Sequence, residues 1–211
     1  MLNRQGRGAL LLALALTLAA AADAPAQDSG APSRAEVNHE VQLYLLVTAE
    51  GAEGAPKPPP SLDGVVRQLK SALPPGDYRV AAALINRVRD GGALELKTVG
   101  GRVFNPAQAQ GQVPPSFLQL SVSGVKLIDP ASAQPFINIQ QFRLGMKVPV
   151  LSAGVKNDKG EAGFPVIQYE DAGLSTQLSV REGEPTLVGT LNTSRPDQNF
   201  VIVLIVRRTG K

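Results

Sequence analysis

The side chains best suited to chemistry are few in this chain, and they are far apart. There is a single histidine, His39, and no cysteine. A triad base or a metal ligand needs partners held on rigid elements. His39 falls in a polar segment ahead of the first strand-like run, so it reads as a solvated imidazole. Without cysteine, thiolate zinc sites and cysteine nucleophiles are excluded, and serine hydrolysis lacks a usable histidine. Glu170-Asp171 has the makings of a carboxylate pair, but adjacent residues at a strand end point to opposite faces. A solvated turn is the better reading. Asn157 to Glu161 (NDKGE) has the outline of a calcium loop, yet lacks the alternating acidic ligands and the closing bidentate Glu. No GxxxxGK[ST] phosphate cradle occurs. Asn192-Thr193-Ser194 matches the N-glycosylation pattern, a tripeptide that also arises by chance. The expectation is a chain without catalytic, cofactor-binding or metal-binding residues, hence a non-enzymatic one with no cofactor.

The first 26 residues read as a secretory signal peptide. Arg4 and Arg7 form a basic start, Ala9 to Ala22 is apolar apart from Thr17, and Ala24-Pro25-Ala26 supplies small residues before a cut at Gln27. Ala20 to Ala22 offers a second place to cut. A spanning helix needs about 20 apolar residues, and no later run is long enough, so no transmembrane helix is expected in the mature chain. With no cysteine after the apolar run, a lipoprotein anchor is excluded. Removing Arg4, Arg7 and Asp23 lowers the formal charge from +3 to +2. The remaining cations are scattered and not interleaved with aromatics, which argues against nucleic acid. An exported periplasmic or outer-membrane-associated protein is expected, stabilised by core packing without disulfides.

The elements follow from periodicity. Residues 27–40 read as a flexible N-terminus. Val41 to Val47 is a strand whose middle is apolar on both faces. GAEGAPKPPP at 51–60 is a loop. Ser61 sits where an N-cap belongs and Asp63 in the first turn. Leu62, Val65, Val66, Leu69 and Leu73 then form one helical stripe, which Pro74-Pro75 ends. Tyr78 to Arg89 fits either a strand or a helix. The Asp90-Gly91-Gly92 turn and the following Leu94 to Val99 run favour a strand and a hairpin. Residues 41–99 are thus expected to be a β-α-β-β unit, a helix on a small sheet.

After a break at 100–115, the portion 116–208 reads as an antiparallel β meander, either a portion of its own or one continuous domain with 41–99. Its runs are Phe117–Ile128, Phe136–Val150, Val166–Tyr169, Leu174–Val180, Thr186–Leu191 and Phe200–Val206. Turns are expected at 129–135, at Glu170 to Gly173, at Arg181 to Glu184 and at 194–199, with a Gly-rich loop at 152–163. Gly91, Gly92, Gly173 and Gly183 are assigned structural turn roles, since glycine takes positive φ at no steric cost. Phe200 to Val206 has no polar face and should be a central, buried strand. The fold class is therefore α+β.

Val148-Pro149-Val150, then Tyr169, Asp171 and Gly173, then Thr176, Val180, Gly183, Thr186, Gly189 and Leu191 together resemble the C-terminal domain of secretins. These are the outer-membrane channels of type II and III secretion and of type IV pili. The resemblance covers residues 148–191. It departs where the second and third elements are fused directly and where Thr190 replaces the second glycine of a Gly-Gly pair. It implies a reduced relative that is not a channel by itself, pairing through strand edges with itself or with an envelope protein. The favoured function is a structural or interaction component accessory to a secretion or pilus assembly. The alternative is a free periplasmic module binding a small ligand or a glycan.

Overall fold

The computed structural model describes residues 37–48, 55–72, 76–100, 115–152, 166–192 and 199–209. The expected signal segment, residues 153–163 of the expected Gly-rich loop with its NDKGE run, and Leu73 to Pro75 lie outside the described residues. Among the described residues eight strands are present: β1 (Asn38–Thr48), β2 (Tyr78–Arg89), β3 (Ala93–Gly100), β4 (Ser116–Ile128), β5 (Phe136–Ser152), β6 (Val166–Arg181), β7 (Thr186–Asn192) and β8 (Asn199–Thr209). One helix, α1 (Asp63–Ala72), follows a 3-10 turn at Pro60–Leu62. The architecture is mainly antiparallel β, with the helix a minor part.

The strands form two four-stranded sheets, ordered β2-β1-β8-β7 and β3-β4-β5-β6. Within each sheet the strands that follow one another in the chain are neighbours, and β8 returns to pair with β1, from Asn38↔Thr209 to Thr48↔Asn199. The chain changes sheet twice, between β2 and β3 and between β6 and β7. The inner faces alternate as a strand facing a core must: Leu43, Leu45, Leu120, Val122, Ile139, Phe142, Leu144, Phe200, Ile202 and Leu204 share one buried cluster.

β8 explains why the run at 200–206 lacks a polar face. Phe200, Ile202, Leu204 and Val206 enter the core between the sheets. Val201, Val203 and Ile205 point the other way and lie beneath α1, with Leu62, Val65 and Leu69. The helix stripe therefore covers the outer face of the first sheet. Burying each of these aliphatic side chains is worth about 1.5–3 kcal/mol. Ser61 does not cap α1: it lies inside the 3-10 turn, which begins after Pro59 with no side-chain cap. The preceding proline-rich run is already preset for such a turn.

Three expectations are corrected. Asp90-Gly91-Gly92 does not close a hairpin, because β2 pairs with β1 and β3 with β4. It is a corner between sheets. The Gly91 N–H donates to Val125 O at 2.6 Å, and the Gly124 N–H to Gly92 O at 3.0 Å. The β-α-β-β order is present in the chain, but its last strand belongs to the opposite sheet. Finally, Glu170 to Gly173 is not a turn. Residues 166–181 are one unbroken strand, with Gly173 opposite Gly145. A turn-forming composition yields when a long partner supplies a full ladder, since β-propensity is weak against pairing.

Candidate functional site

Two regions gather polar groups. The first is the end of the sandwich where both corner turns lie. His39 is the continuation of the inward row of β1 and is fully buried, at 0 % exposure. Its Nε2 lies 2.9 Å from Asp90 Oδ1, and the same oxygen accepts the Leu127 N–H at 3.1 Å. The reading of His39 as a solvated imidazole is thereby overturned. Its sequence neighbours are polar, but its position in the β1–β8 ladder turns it inward. At the other corner, Arg208 donates from Nε to Glu182 at 2.8 and 3.0 Å and from its backbone N–H at 3.0 Å.

The electrostatics of this end are those of a clamp. Burial pushes the Asp90 carboxyl up, but hydrogen bonds from His39 and the Leu127 N–H, with the charges of His39 and Lys126, hold it below its ordinary value. The Arg208 side-chain hydrogen bond holds Glu182 low against burial. On the outer surface of the same sheet, Gln42 and then Arg207 hold Glu40 low, with Arg207 Nη2 2.6 Å from Glu40. Among the described residues the His39 Nδ1 is buried without a hydrogen-bond partner. Among the described residues no three His, Asp or Glu gather as metal ligands.

The turn glycines differ in kind. Gly91 (φ +73°) and Gly183 (φ +76°) occupy the left-handed region at the two corners. Gly92 has ordinary φ, but a Cβ there would meet Arg89 O at 2.8 Å. Gly173 lies mid-strand, where a Cβ would meet Leu144 O at 2.8 Å. Glu170 and Asp171 are consecutive strand residues facing opposite ways. Asp171 pairs with Lys147 at 3.2 Å, so the two carboxylates do not act together.

The second region is the outer face of the second sheet, over which the described residues place no helix. Near its middle the alternation breaks. Ile139 is opposite Leu178 and Phe142 opposite Thr176, so β5 carries one extra residue. On β4, Gly124 takes φ +63° opposite this point, and the Gln140 side chain lies where its Cβ would be, with Oε1 2.5 Å away. Bulges re-aim side chains in this way. Gln140 and Gln141, though adjacent, are both exposed, and both line an open trough of about 640 Å³ with Ser123, Asn138, Ser175 and Gln177. Sequence patterning missed this site because a strict alternation assigns one of two neighbouring glutamines to the core.

Further along the face a second trough, of about 520 Å³, has Gly145 and Gly173 in its lining, together with Phe117, Val99, Lys147 and Gln119. The Phe117 and Tyr169 rings stand 5.9 Å apart. Beyond it β5 and β6 run on together, Val148–Ser152 against Val166–Glu170, past the last β4 partner at Lys147. Among the described residues no helix is long and apolar enough to cross a membrane. Comparison with protein-family models, with curated proteins and with solved structures returns no match to this chain.

Proposed function

We propose that this chain is a non-enzymatic, exported component of the bacterial cell envelope, and that it joins a secretion or pilus assembly by strand pairing. The observation that carries the reading is the β5–β6 ribbon. Its two strands extend five ladder pairs, Val148↔Glu170 to Ser152↔Val166, beyond the edge of β4. Among the described residues no strand pairs with this stretch of β5 on its other side, which leaves main-chain donors and acceptors for another strand, and β-strand addition uses such an edge. The choice of assembly rests on the resemblance of residues 148–191 to the secretin C-terminal domain. Two of its elements are neighbours on the ribbon, where Pro149 is opposite Tyr169. A buried histidine whose Nε2 is bonded to Asp90 favours a binding role over catalysis.

The test is site-specific photo-crosslinking in cells. A photoreactive residue at Gln168, on the ribbon, should capture an envelope protein of a secretion or pilus system, or a second copy of the chain. The same probe at Arg67 on α1 should capture neither. A chain that is monomeric and gives no adduct at Gln168, while remaining folded and exported, overturns the proposal.

A further inference from the structure

We infer that the outer face of the second sheet is a binding platform for a neutral, hydroxyl-rich glycan chain, seated on the glutamine trough at the β5 bulge. This site is distinct from the ribbon edge and does not rest on the assembly reading.

The lining chemistry selects the ligand class. The trough carries amides and hydroxyls, with no charged side chain among its lining residues. An anion or a metal ion needs charge in its site, and an apolar ligand needs an apolar lining. Side-chain amides offer a carbonyl acceptor and two donors each, which suits neighbouring hydroxyls that both give and accept. Among the described residues the amides of Asn138, Gln140 and Gln177 make no hydrogen bond to protein. The Gln141 Oε1 receives only a long one, from Ser123 at 3.5 Å. Their hydrogen-bonding capacity faces outward, and the bulge is what brings Gln140 and Gln141 to the same trough.

The platform continues in both directions. Two residues before Asn138 on the same strand face is Phe136, 42 % exposed, with the Arg181 guanidinium 5.8 Å from its ring centre. At the far end stands Phe117, also 42 % exposed, against Tyr169. Flat aromatic faces accept the C–H faces of sugar rings through the same apolar contacts that bury any hydrocarbon. Between the ends lies Gly145. Its φ is ordinary and a Cβ there would meet nothing within 4 Å, so neither the backbone nor packing requires glycine. Glycine within a strand weakens it and often marks close approach of a ligand to the backbone. Phe117 to Ile128 spans eleven strand steps, about 36 Å at the usual rise, which fits a chain of sugars better than a single one.

The test is titration of the purified protein with maltohexaose, cellohexaose and chitohexaose, followed by ¹⁵N NMR of the glutamine side-chain amides. At least one hexasaccharide should shift the amides of Gln140, Gln141 and Gln177. The double variant Gln141→Ala/Gln177→Ala should bind it at least about tenfold more weakly, the loss of two hydrogen-bonding side chains. Gln68→Ala on α1 should bind as the parent does. Gly145→Ala should reduce the advantage of the hexasaccharide over the disaccharide while leaving the fold intact. The inference is overturned if none of the three sugars moves these amides, or if the double variant binds undiminished. It is overturned equally if a polyanionic oligosaccharide binds more tightly than all three in a salt-dependent way, through Arg143 and Lys147.

Discussion

The outer faces of the two sheets are built from similar strands and end differently. On the first, Leu46, Val80, Val201, Val203 and Ile205 point outward and α1 lies over them with Leu62, Val65 and Leu69. On the second, the outward positions hold Gln119, Ser121, Ser123, Gln141, Ser175 and Gln177, with no helix placed over them by the described residues. The covered face is an apolar cluster and the open one an exposed row of amides and hydroxyls. An apolar outward row is tolerable only if something covers it, whereas amides and hydroxyls stay in water at no cost and are available to a ligand.

The largest test of that difference is Leu62→Ala. Leu62 is fully buried, at 0 % exposure, and the truncation should cost about 2–5 kcal/mol, read as a lower denaturant midpoint. An equivalent truncation on the open face, Gln177→Ala, should fall within about 0.5 kcal/mol of the parent. Equal costs would mean that the two faces are not differently employed.

Gly183→Val probes the corner that joins the faces. With φ at +76° and its N–H bonded to Val206 O at 2.8 Å, the position should cost a β-branched residue about 1–3 kcal/mol. An unchanged melting point would place the sheet change elsewhere.

The same corner should confer acid sensitivity. Glu182 and Glu40 have carboxyls held below their ordinary values in the folded chain. Groups of lowered folded pKa contribute stability that is complete above the unfolded value, about 4.3 for Glu. It is lost as pH falls through the folded value. The denaturant midpoint should therefore drop below about pH 4, and Glu182→Gln should flatten that drop while lowering the plateau above it. A parallel pH profile for the two proteins would remove Glu182 from the clamp.

The smallest effect separates the two glycines of the open face. Gly145→Ala should stabilise by about 0.5–1 kcal/mol, since nothing opposes its Cβ and glycine costs strand entropy. Gly173→Ala should destabilise, because its Cβ would meet Leu144 O at 2.8 Å. If both substitutions destabilise in thermal melts, the open space above Gly145 is not there.

Much of the local structure was legible in the residues. The stripe Leu62, Val65, Leu69 names the helix face that packs, and the wholly apolar Phe200 to Val206 names the strand buried on both sides. Both signals are carried by side chains within a few residues of one another, so the chain announces them wherever it folds. Partnership was not legible. That Ala93 to Gly100 pairs with β4 and not with β2, that 166–181 stays one strand through Glu170 to Gly173, and that His39 turns inward all depend on partners 14 to 169 residues away. The two-glutamine trough depends on a single extra residue in β5 opposite Gly124. Sequence by itself determined which segments are apolar and that no thiol is present for chemistry. Tertiary structure alone decided which strand lies beside which, because a ladder's register is set by the free energy of the whole buried face and not by any segment within it.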